Sequence, residues 1–228
     1  MRDIPIIFSA PMVRALLDGR KRMTRRLVKP QPKGNRPDNA TWAPDDGFKP
    51  DKRVGQTWAL HSPYLNGTRL LHSTCKVRYQ PGDRLWVRES IWEVFAADGP
   101  QAVEPGKNPG RKGAFYRVEY PDFPPCHHYM SRPAIHMPRW ASRLTLTVTA
   151  VRVERLHAIS REDAMAEGIE DLSAPDHMDF GIPGVVNAQH PVRAFWLLWD
   201  SLHGPDAWNA NPEVVVISFD VRKGNIDA

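Results

Sequence analysis

The stretch Gly19-Arg20-Lys21-Arg22-Met23-Thr24-Arg25-Arg26 sets one hydroxyl among five basic side chains. Two chemistries suit it. A solvated basic loop would meet phosphates as a set of point charges. A reactive centre would instead use Lys21 as a base, because Arg20, Arg22, Arg25 and Arg26 all repel its ammonium form and burial pushes the same way. A neutral lysine could take the proton of Thr24, whose hydroxyl is a weak nucleophile until a base does so. Arginine keeps its proton, so Arg26 reads as a structural or oxyanion partner and not as a base. On residue types alone the simpler readings are a phosphate contact for Lys21 and strand propensity for Thr24.

Further along, Glu167 closes the segment SREDAMAEGI. It could protonate a leaving group or hold a ligand's amino group, or it could end a helix or pair with an arginine. Glu89 follows a strand and has the same two readings, a local ion pair or a site role. Trp86 and Trp140 could stack on a base, although eight tryptophans in one chain mostly reflect core packing. Cys126, His127 and His128 are adjacent, which points neighbouring side chains in different directions, and no second ligand pair at metal spacing follows. That pattern reads as a polar loop, with no metal site. The two cysteines, Cys75 and Cys126, form neither a CxxC pair nor a disulfide framework.

The charge balance is consistent with an anionic or electron-rich partner. Net charge is +5 with pI near 9.4, and between Arg14 and Arg36 the one acidic residue is Asp18. This is a local basic patch and not a wholly cationic chain. No apolar run approaches the roughly 20 residues a membrane span needs. The N-terminal MRDIPIIFSAPMV lacks the long apolar core of a secretory signal, which leads to the expectation of a cytoplasmic protein without membrane contact.

The elements that must position these residues follow from periodicity. SAPMVRALLDG reads as a short helix with Pro11 in its first turn, Val13, Leu16 and Leu17 on one face, and Gly19 as its stop. RMTRRLV suits an extended segment, with Thr24, Arg26 and Val28 on one face and Met23, Arg25 and Leu27 on the other. Residues 29–80 and 96–141 are rich in Pro, Gly, Asn and Asp and read as irregular, with one strand expected in AFYRVEY. PGDRLWVRES gives a turn and a strand, with Leu85 and Val87 opposite Trp86 and Arg88. RLTLTVTAVRVERL alternates as a long half-buried strand. Ser160 caps a short helix that has Glu162 and Asp163 in its first turn and stops at Gly168. PVRAFWLLWDSLHG is amphipathic, with Phe195, Leu198, Trp199 and Leu202 in one stripe, and EVVVISFDV is an apolar, central strand.

Four of these segments, in this order, carry a family resemblance. Gly19–Arg26 resembles the G-x-K-x-x-T-x-R signature of ASCH domains, and PGDRLWVRES resembles the family's G-D-x-L strand. ISREDAMAEGI is similar to its short acidic helix, and FWLLWDSL with EVVVISFDV to its closing helix and strand. HMPRWASR is similar to long forms common in phage-derived genes. The resemblance implies an α+β fold, a PUA-like small β-barrel with rim helices and two long irregular insertions. It would form a single domain over 1–228, with core 1–28, 81–95 and 142–228 and insertions 29–80 and 96–141. Small bacterial members of the family hydrolyse N4-acetylcytidine to cytidine and acetate with a Lys, a Thr and a Glu, roles that fall on Lys21, Thr24 and Glu167. Arg26, Glu89, Trp86 and Arg20 are then the candidate substrate-binding residues. No cofactor or metal is expected. The partner would be a modified nucleoside or nucleobase, or RNA, and the chain would act as a monomer. Other family members are ribonucleases or RNA binders, so a non-catalytic RNA-binding module and a metal-dependent ribonuclease stand as alternatives.

Overall fold

The computed structural model describes residues 1–32, 39–45, 56–63, 69–94, 113–122 and 129–228. In chain order the elements begin with β1 (Asp3–Ile7), α1 (Ala10–Leu17), β2 (Met23–Leu27), β3 (Thr41–Pro44), β4 (Gln56–Pro63), β5 (Arg69–Val77), β6 (Arg84–Arg88) and β7 (Ile91–Val94). They continue with β8 (Gly113–Tyr116), β9 (Tyr129–Arg132), β10 (Leu144–Arg155), α2 (Arg161–Ala166), β11 (Glu170–Asp171), β12 (Phe180–Ile182), β13 (Val186–Ala188), α3 (Pro191–His203) and β14 (Glu213–Lys223). The fold is mixed α+β, mostly strands with few helices. None of the described helices is long and apolar enough to cross a membrane.

The chain divides into two compact units, and the long strands β10 and β14 contribute residues to both. The first comprises residues 1–19, 82–147 and 220–228. Here β1 runs parallel to β6, with Ile4 opposite Leu85 and Ile6 opposite Val87, and β6 runs antiparallel to the start of β10. Alternation buries Ile4, Ile6, Leu85, Val87, Leu144 and Leu146. α1 forms where the sequence predicts it. Pro11 lies in its first turn, Gly19 takes φ +74 just beyond its end, and Met12, Val13, Ala15 and Leu16 are buried. A second sheet in this unit has the order β8-β7-β9. It packs Ile91, Ala114 and Tyr116 with Met137 and Ala141, and Trp140 lies against that cluster.

The second unit comprises residues 20–81 and 148–219. β14 pairs antiparallel with β2, with Ile217 opposite Thr24 and Val215 opposite Arg26. Val214, Val215, Val216 and Ile217 are all buried, as a strand covered on both faces requires. Burial of each such side chain stabilises by about 1.5–3 kcal/mol. α3 packs on α2 and on the β12–β13 hairpin, with Phe195, Leu198 and Trp199 buried. Leu202 departs from the expected stripe: it is 58% exposed, and Pro191 and Ala194 complete the buried face instead.

Two expectations need correction. The strands form open sheets and not a barrel: the order is β1-β6-β10-β14 in the first unit and β10-β14-β2 in the second, with no closed barrel among the described residues. Within 29–80, where irregular chain was expected, the described residues hold the antiparallel sheet β3-β4-β5. Trp42, Trp58, Leu60, Cys75 and Val77 are buried on it, and Trp42 Nε1 donates to Glu213 Oε2 at 3.0 Å. Prolines and polar residues mask that pattern, because they cluster between these strands. Likewise, 96–141 supplies β8 and β9; the strand expected in AFYRVEY ends at Tyr116, where the chain turns and the amides of Glu119 and Tyr120 both donate to the Tyr116 carbonyl.

Candidate active site

Two main-chain hydrogen bonds bring the basic stretch to the acidic helix. The Arg22 amide donates to the Ala166 carbonyl at 2.8 Å, and the Phe219 amide donates to the Arg22 carbonyl at 3.0 Å. The segment before β2 is thereby held between the C-terminus of α2 and strand β14. α2 starts as its sequence predicts, with the Asp163 amide donating to Ser160 Oγ at 3.1 Å. It stops at Gly168, whose φ of +105 suits glycine and reverses the chain directly after Glu167.

Lys21 enters this turn. Its Nζ donates to the Glu167 carbonyl at 2.6 Å and to Glu167 Oε2 at 2.8 Å. The carbonyl belongs to a helix end, where unsatisfied oxygens favour a cation. Lys21 is 1% and Glu167 3% exposed, so this is a buried ion pair. Burial is the main influence that pulls Lys21 below its ordinary range; Glu167 opposes it, and Arg26 and Arg25 add repulsion. The sequence argument therefore has the right sign but the wrong leading cause, since desolvation outweighs the neighbouring arginines.

Arg25 occupies the other carboxylate oxygen. Its Nη1 lies 3.4 Å from Glu167 Oε1, and its Nη2 donates to Glu154 Oε1 at 2.8 Å and to Asp163 Oδ2 at 2.5 Å. Arg152 donates to Glu154 Oε2 at 2.8 Å and also pairs with Asp163. The Arg25 guanidinium sits 5.9 Å from the centre of the Phe195 ring. This network escapes a reading based on motif spacing, because Glu154 and Arg152 look like ordinary outward residues of an alternating strand. The legible clue is Arg25 itself, a charge on the same strand face as Met23.

Thr24 is 4% exposed, on the β2 face opposite Met23 and Arg25, and its hydroxyl makes no hydrogen bond among the described residues. Arg26 shares that face and lies within electrostatic reach of Lys21, Glu167 and Tyr79; burial draws its guanidinium below the ordinary value. Arg20 donates to the Gly168 carbonyl at 3.1 Å and pairs with Glu170 at 3.4 Å.

The remaining candidates belong to the first unit and have partners there. Glu89 is buried and takes a two-pronged contact from Arg143, at 2.9 and 3.0 Å. Burial raises its carboxyl above the usual range while Arg143 pulls it back. The Arg143 guanidinium also covers the Tyr116 ring at 3.6 Å. Trp86 is buried, with the Arg88 guanidinium 5.2 Å from its ring centre. The Cys126-His127-His128 stretch lies outside the described residues, and no group of metal-binding side chains occurs among those described.

The structure thus joins Lys21 to Glu167, places Thr24 on the strand that follows, and gives Arg20 and Glu89 ion-pair partners of their own. The chain matches no family model, no curated protein and no solved structure.

Proposed function

We propose that this chain is an amidohydrolase of the ASCH type that cleaves the N4-acyl amide of N4-acetylcytidine or a related N4-acylated cytosine. The open strand core would be a PUA-like one. The observation that carries this reading is the buried contact of Lys21 Nζ with Glu167 Oε2 at 2.8 Å, three residues before a threonine whose hydroxyl has no hydrogen bond among the described residues. A lysine that contacts phosphate must be open to solvent, and Lys21 is not.

The chemistry follows from one proton. Transfer from the Lys21 ammonium to the Glu167 carboxylate turns the ion pair into a neutral amine and a carboxylic acid, a change that a desolvated site favours. The amine takes the Thr24 hydroxyl proton as Oγ1 attacks the acyl carbon. The tetrahedral intermediate collapses as Glu167 protonates N4, which leaves as the amino group of cytosine. Cytosine is a weakly basic aromatic amine, so this departure is easier than from an alkyl amide. Glu167, now a carboxylate, then removes a proton from water, whose oxygen attacks the acyl-threonine ester. The Lys21 ammonium returns its proton to Thr24 Oγ1, and the product leaves as a carboxylic acid that loses its proton to solvent. Glu167 then returns its proton to Lys21 to restore the ion pair. Arg26, on the same strand face as Thr24, would meet negative charge on the carbonyl oxygen.

The test is incubation with N4-acetylcytidine in EDTA, following absorbance as cytidine forms. Turnover is expected in the wild type and absent in Lys21→Ala, Thr24→Ala and Lys21→Arg, since guanidinium keeps its proton. Because the residues act as a unit, the double alanine variant should be little worse than either single one. An active Lys21→Arg enzyme refutes the mechanism. No turnover with salt-sensitive RNA binding would instead assign a non-catalytic module, and RNA cleavage dependent on added Mg²⁺ a nuclease.

A further inference from the structure

Arg25 has no counterpart among the roles above, yet it ties the pair to two further carboxylates. Its guanidinium is fully buried and meets carboxylates from two elements: Glu154 of β10 and, from α2 and its end, Asp163 and Glu167. The division of the Glu167 carboxylate is unambiguous. Lys21 takes Oε2 and Arg25 takes Oε1. A carboxylate held at one oxygen alone can turn about its terminal torsion, which is broad. Held at both, it has one orientation. Arginine suits this task because its planar fork offers separate nitrogens to separate acceptors, whereas an ammonium is a point charge.

We propose that Arg25 is a positioning residue of this site: it fixes the Glu167 carboxylate with Oε2 toward Lys21 and ties it to the Glu154 and Asp163 side chains. This rests on the proposed hydrolysis for its consequence but not for its test. Among the described residues, the groups around Lys21 and Arg25 include Arg26 on β2, Glu154 and Arg152 on β10, and Asp163 and Glu167 on α2 and its end, with the Phe195 ring on α3. Asp163 and Glu154 are also held by Arg152, so the frame does not collapse to one contact when Arg25 changes.

Arg25→Lys keeps a charge but cannot reach three carboxylates at once. Its kcat on N4-acetylcytidine should fall by about 10²-fold, the usual cost of a group displaced by an ångström, with KM unchanged within about threefold. A second readout needs no turnover. The Lys21 titration, followed by ¹³C NMR of side-chain-labelled lysine and assigned with Lys21→Met, is compared between Asp163→Asn and Arg25→Gln/Asp163→Asn. The Asn removes one of the three carboxylates that Arg25 would leave behind, and Arg152 still holds Glu154, which protects the fold. Removing the Arg25 cation should raise the Lys21 midpoint, because its repulsion of the ammonium form is lost. A purely structural arginine would lower the melting temperature and leave kcat in Arg25→Lys at the wild-type value. Wild-type kcat in Arg25→Lys, or an unmoved Lys21 midpoint, overturns the proposal. A wild type inert toward N4-acetylcytidine refutes the hydrolase reading. The Lys21 midpoint in Arg25→Lys, which keeps the charge, then decides the role of Arg25, falling if Glu167 turns away from Lys21 and staying in place if it does not.

Discussion

Lys21→Met removes the ammonium and keeps most of the stem. Glu167, 3% exposed, then loses the donor 2.8 Å from Oε2, and Arg25 holds only Oε1 at 3.4 Å. Breaking a buried pair from one side costs about 3–5 kcal/mol, because the remaining charge stays buried. Glu167→Leu takes the carboxylate from the Lys21 ammonium, leaving the carbonyl at 2.6 Å, and should cost about 3 kcal/mol by the same reasoning. The double variant Lys21→Met/Glu167→Leu removes both charges and refills the space with apolar atoms, a replacement that is often neutral or better. Arg25 keeps Glu154 and Asp163 as partners throughout. The double variant should therefore be more stable than the sum of the singles by at least about 2 kcal/mol. Urea denaturation at pH 7 followed by tryptophan fluorescence measures all four proteins, with equal m-values as the check that the unfolded states match. Effects that add within about 0.5 kcal/mol would show the two groups to be uncoupled. The buried pair, and any mechanism built on it, would then be wrong.

Other outcomes follow from the same geometry. Lys21 is held below its ordinary 10.5, so between its folded value and 10.5 the unfolded chain binds the extra proton. Stability from this group therefore rises with pH across that window, and the rise should vanish in Lys21→Met when urea midpoints are measured from pH 7 to 10. Gly168→Ala forces a side chain onto φ +105 and should cost about 1–2 kcal/mol while shifting Glu167, detectable as lost stability together with lost turnover. In a Cys126→Ser background, Cys75 is buried with its thiol pushed up to about 12, so it should resist a disulfide reagent at pH 8 until the protein is unfolded. Trp42→Phe removes the donor to Glu213 Oε2 at 3.0 Å and should lower stability by about 1–3 kcal/mol, read from the urea midpoint.

Local grammar was legible in the sequence wherever one residue type has one use. Ser160 and Gly168 bracket α2, Pro11 and Gly19 bracket α1, and the Leu144-Leu146-Val148 alternation marks β10, because caps, left-handed stops and strand periodicity depend on near neighbours. The run Val214–Ile217 announced a strand covered on both faces for the same reason. What failed to show was pairing over distance. Trp42, Trp58 and Val77 belong to one sheet, but their strands are separated by stretches of sequence whose Pro, Gly and polar composition dominates any window reading. Leu202 shares the period of Phe195 and Leu198, yet it sits at the end of α3, beyond the surface that covers the helix.

The site divides along the same line. The sequence by itself determined that Lys21, Thr24 and the arginines stand together, and that Glu167 ends a capped acidic helix, since both facts are local. Only the tertiary structure decided that the Arg22 amide meets the Ala166 carbonyl, that Lys21 is consequently buried against Glu167, and that Arg25, Glu154, Asp163 and Arg152 frame the pair. Burial is what changes a lysine's chemistry most, and burial is a property of all the elements around it. Like-charge neighbours can be counted along a chain, but desolvation exists only once the chain has folded.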